Sequence, residues 1–342
     1  MNPKSDFPTS NSSSTPIQAE PAEAQIAGMA EDNPNLTPAM VQRAREGLMA
    51  AQHRSVRRSI QNALNRMLAD ASEAELNNQV SQGLNHNPKV SGEFRRYVVR
   101  SLIHSLFQVR VEHLERVPQG AAVLAANHLN HIDPFLLLSE LYPEPYCHIL
   151  GDSRTLYNHW WKRLLLDWAG GVIPIERWWR EELAVITEAN AGREDLVELA
   201  AAIQKDVPTG SDVQRLRQID RAVQKILGRN EGIILFPEGR LGTQEAQLHL
   251  PLKRGTALYA LRSGVPIVPI ALIGTKELYL GKELTIRIGE PLYYPQTRRP
   301  KRREINQVLQ DLQQAIADLL PPTYQEPTGP KPLRHLLNHM LC

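Results

Sequence analysis

Short apolar runs alternate with helical patterns along most of the chain, and this alternation predicts an α/β fold. The runs have the length and the β-branched content of strands, and they fall at residues 107–111, 122–126, 147–150, 172–175, 233–236, 267–272 and 284–288. Helical patterns occupy several of the intervals between them. We therefore expect a mixed central sheet flanked by helices.

The chain before the first strand divides into two parts. Residues 1–35 are rich in Ser, Pro, Asn and Ala with almost no large apolar residue, which predicts a disordered N-terminal tail. Residues 36–106 predict a helical region, because Met40, Ala44 and Leu48 keep helical spacing. An amphipathic helix is expected at 93–107, and its apolar face consists of Val99, Leu102, Ile103 and Leu106.

The sequence predicts one globular domain over residues 107–320, with a helical insertion at about 178–229. Within this insertion we expect helices over 180–206 and 212–227, separated by a Pro-Thr-Gly-Ser turn. A last helix is predicted over 303–320. The Pro-rich residues 321–342 follow it as a tail.

Composition and charge limit the classes of function. The formal net charge of +2 argues against a nucleic-acid-binding protein. The two cysteines, Cys147 and Cys342, are too few for a disulfide framework, which predicts a reducing compartment. The sequence has neither the apolar core of a signal peptide nor the roughly 18 consecutive apolar residues of a spanning helix. We therefore expect a protein that is soluble or lies on a membrane surface without crossing it.

The segment AANHLNHIDPF at residues 125–135 places two histidines and an aspartate between a small apolar strand and a proline. Three interpretations are open. Asp133 could be the N-cap of a helix that starts at Pro134. His128, His131 and Asp133 could bind a metal ion, although their spacing matches no helix-borne zinc motif. Asp133 could also orient His128, which would leave the second imidazole nitrogen as a general base.

Three further blocks end or contain predicted strands. GIILFPEGRLG at 232–242 is a buried strand followed by a carboxylate and an arginine, and GGVIPIER at 170–177 is a strand that ends at Arg177. Residues 251–274 contain a basic turn, a helix and another buried strand. Each block taken alone is equally well explained by a strand followed by an ordinary surface turn.

Taken in order, the four blocks resemble the glycerolipid acyltransferase family, which includes 1-acyl-glycerol-3-phosphate and glycerol-3-phosphate acyltransferases. The family's Asn-His-x4-Asp block is matched by Asn127, His128 and Asp133. Its second block is matched by Gly171, Ile173, Ile175 and Arg177. Its third is matched by Phe236, Pro237, Glu238, Gly239 and Arg240, and its fourth by Ile267, Val268, Pro269 and Ile270. The resemblance runs from about Phe107 to Leu292.

The chain departs from the family pattern at two places. The Thr or Ser that usually follows the glycine of the third block is absent, so that Arg240 directly follows Gly239. This difference bears on which acceptor the protein uses more than on the type of reaction. The connection over 178–229 is also longer than the family usually has, and it could shape a substrate site or contact a partner.

The resemblance implies transfer of a fatty acyl group from acyl-CoA or acyl-carrier protein to the glycerol hydroxyl of lysophosphatidate (1-acyl-glycerol 3-phosphate) in phospholipid synthesis. Glycerol 3-phosphate or another lysophospholipid is the alternative acceptor. His128 would be the general base and Asp133 would orient it. The implied substrate-binding residues are Arg177, Glu238, Gly239, Arg240 and Lys253, and the residues that shape the motifs are Asn127, Pro237 and Pro269. No metal and no other cofactor is expected.

A lipid acceptor implies a peripheral location at the cytoplasmic side of a membrane. The predicted helix at 93–107, with Arg95, Arg96 and Arg100 beside its apolar face, is the candidate docking element. Further candidates are Trp160, Trp161, Trp178, Trp179 and the basic run at 297–304. Two other classes of function remain open: a metal-dependent hydrolase that uses His128, His131 and Asp133, and a catalytically silent lipid-binding protein.

Overall fold

The computed structural model describes residues 36–69, 91–157, 159–160, 162–163, 166, 171–176, 178–208 and 213–341. The predicted tail at 1–35, part of the predicted helical region at 70–90, Arg177, Trp161 and Cys342 lie outside the described residues.

A seven-stranded mixed sheet forms the centre of the chain and confirms the predicted fold class. Its strands are β1 (Gln108–Glu112), β2 (Val123–Ala126), β3 (Cys147–Asp152), β4 (Val172–Ile175), β5 (Gly232–Leu235), β6 (Ile267–Ile273) and β7 (Glu283–Ile288). Their spatial order is β1-β7-β6-β2-β5-β3-β4. Each predicted strand is present, because short buried runs of β-branched residues suit a sheet that is covered on both faces.

The strand directions place the ends of several motifs at one edge of the sheet. β2 pairs in parallel with β5 and β6, and β3 pairs in parallel with β5 and β4. β7 runs antiparallel to its neighbour β6. We call the edge where β2 to β6 end the carboxyl edge, and the opposite edge, where they begin, the amino edge. Loops that follow parallel strands meet at their carboxyl edge, where α/β proteins bind ligands.

Helices cover both the sheet and its edges. They are α1 (Pro38–Gln52), α2 (Arg54–Ala69), α3 (Gly92–Leu106), α4 (Asp133–Glu140), α5 (Ser153–Leu156), α6 (Arg180–Asn190), α7 (Val197–Asp206), α8 (Val213–Gly228), α9 (Gly255–Ser263), α10 (Arg302–Leu319) and α11 (Arg334–Leu341). The single helix predicted over 180–206 is wrong, because the chain breaks at Gly192, where φ is +103°, and turns before α7. The Pro-rich tail was predicted without a helix, yet it contains α11.

The N-terminal region and the insertion share a second hydrophobic core. It is separate from the core of the sheet and contains Ala44, Ala51, Val185, Ile186, Leu196, Ala200, Ile203 and Val207. The first two residues belong to α1 and the next two to α6. The other four lie within 196–207, the segment that contains α7. We call α1, α6 and α7 the helical cap. Two segments that are far apart in sequence therefore form one packed unit.

A buried polar network attaches the helical cap to the carboxyl edge of the sheet. The guanidinium of Arg154 donates two hydrogen bonds, of 2.5 and 3.0 Å, to the Glu182 carboxylate. The two side chains are 1% and 0% exposed. The indole nitrogen of Trp179 donates to Asp152 Oδ2 at 3.0 Å, and Asp152 is the last residue of β3. The cap therefore borders the edge at which the motif loops lie.

The predicted docking helix is present as α3, but its predicted apolar face is not available as one surface. Val99 and Ile103 are buried in the core of the sheet, whereas Leu102 is 54% exposed. Arg95, predicted to flank an exposed face, is buried, and its guanidinium lies 3.8 Å above the Tyr146 ring. Among the described residues no helix is long and apolar enough to cross a membrane.

The predicted interfacial tryptophans have different surroundings. Trp178 donates its indole N–H to the Val207 carbonyl oxygen at 2.9 Å, within the helical cap. Trp179 lies between Arg154 and Arg43, whose guanidinium carbons are 4.3 and 5.8 Å from its ring. Trp160 is 70% exposed. Packing therefore accounts for Trp178 and Trp179, and an interfacial role stays a prediction for Trp160.

Candidate active site

His128 and Asp133 meet in the loop between β2 and α4. The imidazole Nδ1 of His128 lies 2.8 Å from Asp133 Oδ2, and the Asp133 side chain is 0% exposed. The same oxygen accepts backbone N–H groups from Leu129 at 2.7 Å and Asn130 at 2.8 Å. An ionised carboxylate only accepts hydrogen bonds, so Nδ1 carries the proton and Nε2 is the basic nitrogen.

The predicted N-cap role of Asp133 is wrong. Helix α4 begins at Asp133 itself, and the N-cap residue Ile132 makes no side-chain capping bond. The Asp133 carboxylate points back along the chain to residues 128–130 instead of forward to the helix. Its negative charge in the first turn is still favourable, because backbone N–H dipoles converge at a helix N-terminus.

The loop after β5 fixes the backbone of His128 on both sides. The N–H of His128 donates to Glu238 Oε1 at 2.7 Å, and its carbonyl oxygen accepts the N–H of Gly242 at 2.6 Å. The imidazole stacks on the Phe236 ring with 4.1 Å between centroids. The side chain is 17% exposed. Nδ1 is held by Asp133, so a substrate would meet Nε2.

Glu238 connects two loops through both of its carboxylate oxygens. Oε1 accepts from His128, and Oε2 accepts the backbone N–H of His249 at 2.7 Å. Burial raises the pKa of this carboxyl, whereas the two N–H donors act in the opposite direction. The geometry therefore gives Glu238 a bridging function. Its predicted role in substrate binding stays a prediction. Gly239 has a φ of +66°, a backbone conformation that favours glycine in this turn.

The three residues predicted to shape the motifs all make backbone connections. Asn127 is buried, and its amide donates to the Leu272 carbonyl oxygen at 2.9 Å and accepts the Leu272 N–H at 2.6 Å. It thereby ties the start of the His128 loop to β6. The carbonyl oxygen of Pro237 accepts the N–H of Lys253 at 2.7 Å, and that of Pro269 accepts the N–H of Gly289 at 2.9 Å.

The cations predicted to bind phosphate are only partly brought together. Arg240 is half-buried beside the Glu238 loop, with Nη2 3.3 Å from His249 Nδ1. Lys253 is exposed, and its backbone is held by Pro237. Arg177 lies outside the described residues, although β4 ends at Ile175 on the carboxyl edge. Their role in phosphate binding stays a prediction.

The metal interpretation is not supported by the arrangement of side chains. The His131 ring lies edge-on to His128 with 6.4 Å between centroids. Burial, together with the nearby charges of Lys162 and Arg43, lowers the pKa of His131 to about 2, so this ring is neutral. Within the part of the chain that the structure describes, no group of three His, Cys, Asp or Glu residues could hold a metal ion.

Sequence reasoning missed Lys276 and Glu245, which join the connection between β6 and β7 to the loop after β5. Lys276 Nζ donates to the Gly242 carbonyl oxygen at 2.9 Å, and the N–H of Gly242 donates to His128. The Glu245 carboxylate accepts the N–H groups of Gly274 at 3.1 Å and Lys276 at 2.7 Å. Neither residue lies in a recognised block, and contacts to backbone carbonyls leave no pattern in a sequence.

We expect Lys276→Met to lower kcat roughly tenfold to hundredfold while KM changes little, because loss of the Nζ bond frees Gly242 and lets His128 shift. Steady-state kinetics measure this split. Lys276→Arg keeps a donor and should recover part of the lost kcat. A Lys276→Met protein with normal kcat would contradict the positioning role.

Asp133→Asn is expected to lower kcat roughly 10²-fold, less than the roughly 10⁴-fold loss that follows when such a change forces the wrong histidine tautomer. The Leu129 and Asn130 N–H groups require an oxygen at the Oδ2 position, so an asparagine would keep its carbonyl oxygen towards His128. The tautomer is then retained, and only the negative charge is lost. Kinetics of the folded variant test this, and normal turnover would contradict it.

Comparisons with known proteins concern this same region of the chain. The family model described as Acyltransferase matches residues 108–273. A 1-acyl-sn-glycerol-3-phosphate acyltransferase of Chlamydomonas reinhardtii is 31% identical over 99 residues, which are 28% of this chain and 29% of that protein. The chain therefore matches less than a third of that relative's length.

Among solved structures, the 1-acyl-sn-glycerophosphate (LPA) acyltransferase PlsC from Thermotoga maritima aligns with the chain with 16% identity and a TM-score of 0.42. This alignment covers 70% of this chain and 86% of that one.

Proposed function

We propose that the chain is an acyltransferase, the family whose model matches residues 108–273, and that it transfers a fatty acyl group from a thioester to the glycerol hydroxyl of lysophosphatidate. The observation that carries the proposal is the His128–Asp133 pair, with Nδ1 held at 2.8 Å and Nε2 left for a substrate. The printed name of the Chlamydomonas relative supports lysophosphatidate as the acceptor.

The reaction begins when the acceptor hydroxyl donates its proton to His128 Nε2 as its oxygen attacks the thioester carbonyl carbon. An alcohol is a weak nucleophile at neutral pH, and a positioned base is worth about 10²–10⁴ in rate. The negative charge of Asp133 stabilises the imidazolium that forms. The tetrahedral intermediate then breaks its carbon–sulfur bond, and the imidazolium returns the proton to the leaving thiolate. The nucleophile belongs to the substrate, so no acyl-enzyme is formed.

Arg240, Lys253 and Arg177 are the proposed partners of the acceptor phosphate. Guanidinium groups bind phosphate through charge-assisted, paired hydrogen bonds. Arg240 lies two residues after Glu238, in the loop whose Glu238 and Gly242 bond to the His128 backbone. This position makes Arg240 a better supported phosphate partner than Lys253 or Arg177. The donor is proposed to be acyl-CoA or acyl-carrier protein, and the reaction is proposed to take place at the cytoplasmic surface of a membrane.

The proposal is tested by offering purified protein a labelled acyl group as its CoA and carrier-protein thioesters. The acceptors are glycerol 3-phosphate, lysophosphatidate and a neutral lysolipid, each with and without a chelator. We expect transfer to lysophosphatidate that the chelator does not reduce. Loss of transfer with the chelator would favour a metal-dependent enzyme. No transfer to any acceptor by folded protein, with membranes present, would favour a silent lipid-binding protein.

A further inference from the structure

His249 contacts Arg240 through a hydrogen bond that determines the protonation state of its ring. Both residues lie in the connection from β5 to α9, and Nδ1 of His249 is 3.3 Å from Nη2 of Arg240. A guanidinium has only donors, so Nδ1 is the acceptor in this contact. The His249 imidazole is therefore neutral, and its proton is on Nε2.

A neutral acceptor suits an arginine that binds an anion. A carboxylate at the same place would offset the positive charge of the guanidinium and compete with a phosphate for its N–H groups. An imidazole nitrogen restricts the orientation of the guanidinium and leaves its charge unchanged. Such a restraint favours binding, because a long arginine side chain loses much rotamer freedom when a ligand orders it.

The backbone of His249 is fixed by the carboxylate that also fixes the backbone of His128. Glu238 Oε2 accepts the N–H of His249, and Oε1 accepts the N–H of His128, each at 2.7 Å. Glu238 is 1% exposed, so solvent does not compete for these bonds. One buried side chain therefore sets the spacing between the proposed base and the residue that contacts Arg240.

This spacing matters because the acceptor carries its two recognised groups close together. In 1-acyl-glycerol 3-phosphate the free hydroxyl and the phosphate are on neighbouring carbons of the glycerol. A hydroxyl at Nε2 of His128 therefore leaves its phosphate only a few bonds away. A guanidinium held at a fixed place relative to His128 can bind that phosphate without a further search of rotamers.

We propose that His249 is a positioning residue that keeps the Arg240 guanidinium in the orientation that binds the acceptor phosphate. This inference rests on the proposed function, in which Arg240 contacts that phosphate. His249 acts through Arg240 and takes no part in the proton transfer at His128. Its loss should therefore weaken acceptor binding and leave kcat nearly unchanged.

The test is calorimetric titration of the full chain with a short-chain, water-soluble lysophosphatidate, without an acyl donor. His249→Leu removes the acceptor nitrogen but keeps the backbone N–H that bonds to Glu238, and it should raise Kd roughly tenfold. His249→Asn should keep Kd close to the wild-type value, because an asparagine Oδ1 is as many bonds from the backbone as Nδ1. The matched control is Gln247→Leu at an exposed position of the same connection, which should leave Kd unchanged.

Arg240→Met completes a double-mutant cycle. It should raise Kd roughly 10²-fold, and adding His249→Leu should raise Kd no further, because the histidine acts through the arginine. A wild-type Kd in His249→Leu beside a raised Kd in Arg240→Met, or effects that add independently, would overturn the inference and leave the proposed function intact. An unchanged Kd in Arg240→Met would overturn both the phosphate contact and the inference. The expected pattern of Kd values in a protein that transfers no acyl group would contradict the proposed function alone.

Nitrogen NMR of the wild-type protein with isotope-labelled histidine tests the contact even if His249→Leu does not fold. The signals of His249 are identified by their loss in His249→Asn. At neutral pH we expect an unprotonated Nδ1 and a protonated Nε2. A ring that carries its proton on Nδ1, or one on each nitrogen, would overturn the inference.

Discussion

His128→Ala is expected to reduce kcat for acyl transfer by about 10³-fold, within the range of about 10²–10⁴ for a general base. The variant removes Nε2, the nitrogen that Asp133 leaves for the substrate when it holds Nδ1 at 2.8 Å. Substrate binding should change far less, because the acceptor phosphate is proposed to contact Arg240 and Lys253. Steady-state kinetics with separate determination of kcat and KM provide the measurement.

A matched control is available in the same loop. His131 is also a histidine near the site, but its pKa of about 2 leaves it neutral, and its ring only faces the edge of His128. His131→Gln should therefore retain most of kcat. If His131→Gln were as inactive as His128→Ala, with both proteins folded, the assignment of the base to His128 would be wrong.

Glu182→Gln is expected to lower the free energy of unfolding by about 3–5 kcal/mol, the usual cost of removing one partner of a buried ion pair. Arg154 and Glu182 are 1% and 0% exposed, so water cannot solvate the Arg154 guanidinium once the negative charge of Glu182 is removed. The pair joins the end of β3 to the helical cap. The loss should therefore also loosen the cap, and urea unfolding followed by circular dichroism measures the change in stability.

The control for this prediction is an exposed ion pair in the same insertion. Arg193 and Asp195 make a 2.8 Å pair whose side chains are 48% and 61% exposed. Solvent screens such a pair, and Asp195→Asn should leave the free energy of unfolding nearly unchanged. Equal effects of Glu182→Gln and Asp195→Asn would show that the buried pair does not hold the cap.

The strands could be predicted closely because they are short, buried runs with few polar interruptions. β4 was predicted to the residue, and β5 differs by one residue at each end. The motifs also indicated that Asn127, His128, Asp133 and the block from Phe236 lie close together, and their roles in a site stay predictions. The motifs do not indicate where the Asp133 carboxylate points. It points to residues 128–130 and not to the helix, because the backbone N–H groups of Leu129 and Asn130 donate to it.

The parts that escaped prediction depend on contacts between distant segments. The helical cap forms because apolar residues of α1 and α6 face each other, and neither segment alone indicates its partner. Helix α11 was missed because the prolines before it suggested a tail without structure. Lys276 was missed because it bonds to the backbone carbonyl oxygen of Gly242. Every residue has a carbonyl oxygen, so such a contact leaves no pattern in the sequence. Tertiary packing, and not local propensity, decided all three.

Direct acyl transfer to a lipid hydroxyl proceeds without an acyl-enzyme, and this distinguishes the proposed reaction from one with a covalent intermediate on the protein. The most direct measurement is a single-turnover reaction of the wild-type protein with lysophosphatidate and a thioester labelled in its acyl chain. We expect one molecule of labelled phosphatidate for each thiol released, with no label retained on the protein. Release of thiol together with labelled free fatty acid, or a labelled protein that forms before the lipid product, would contradict it.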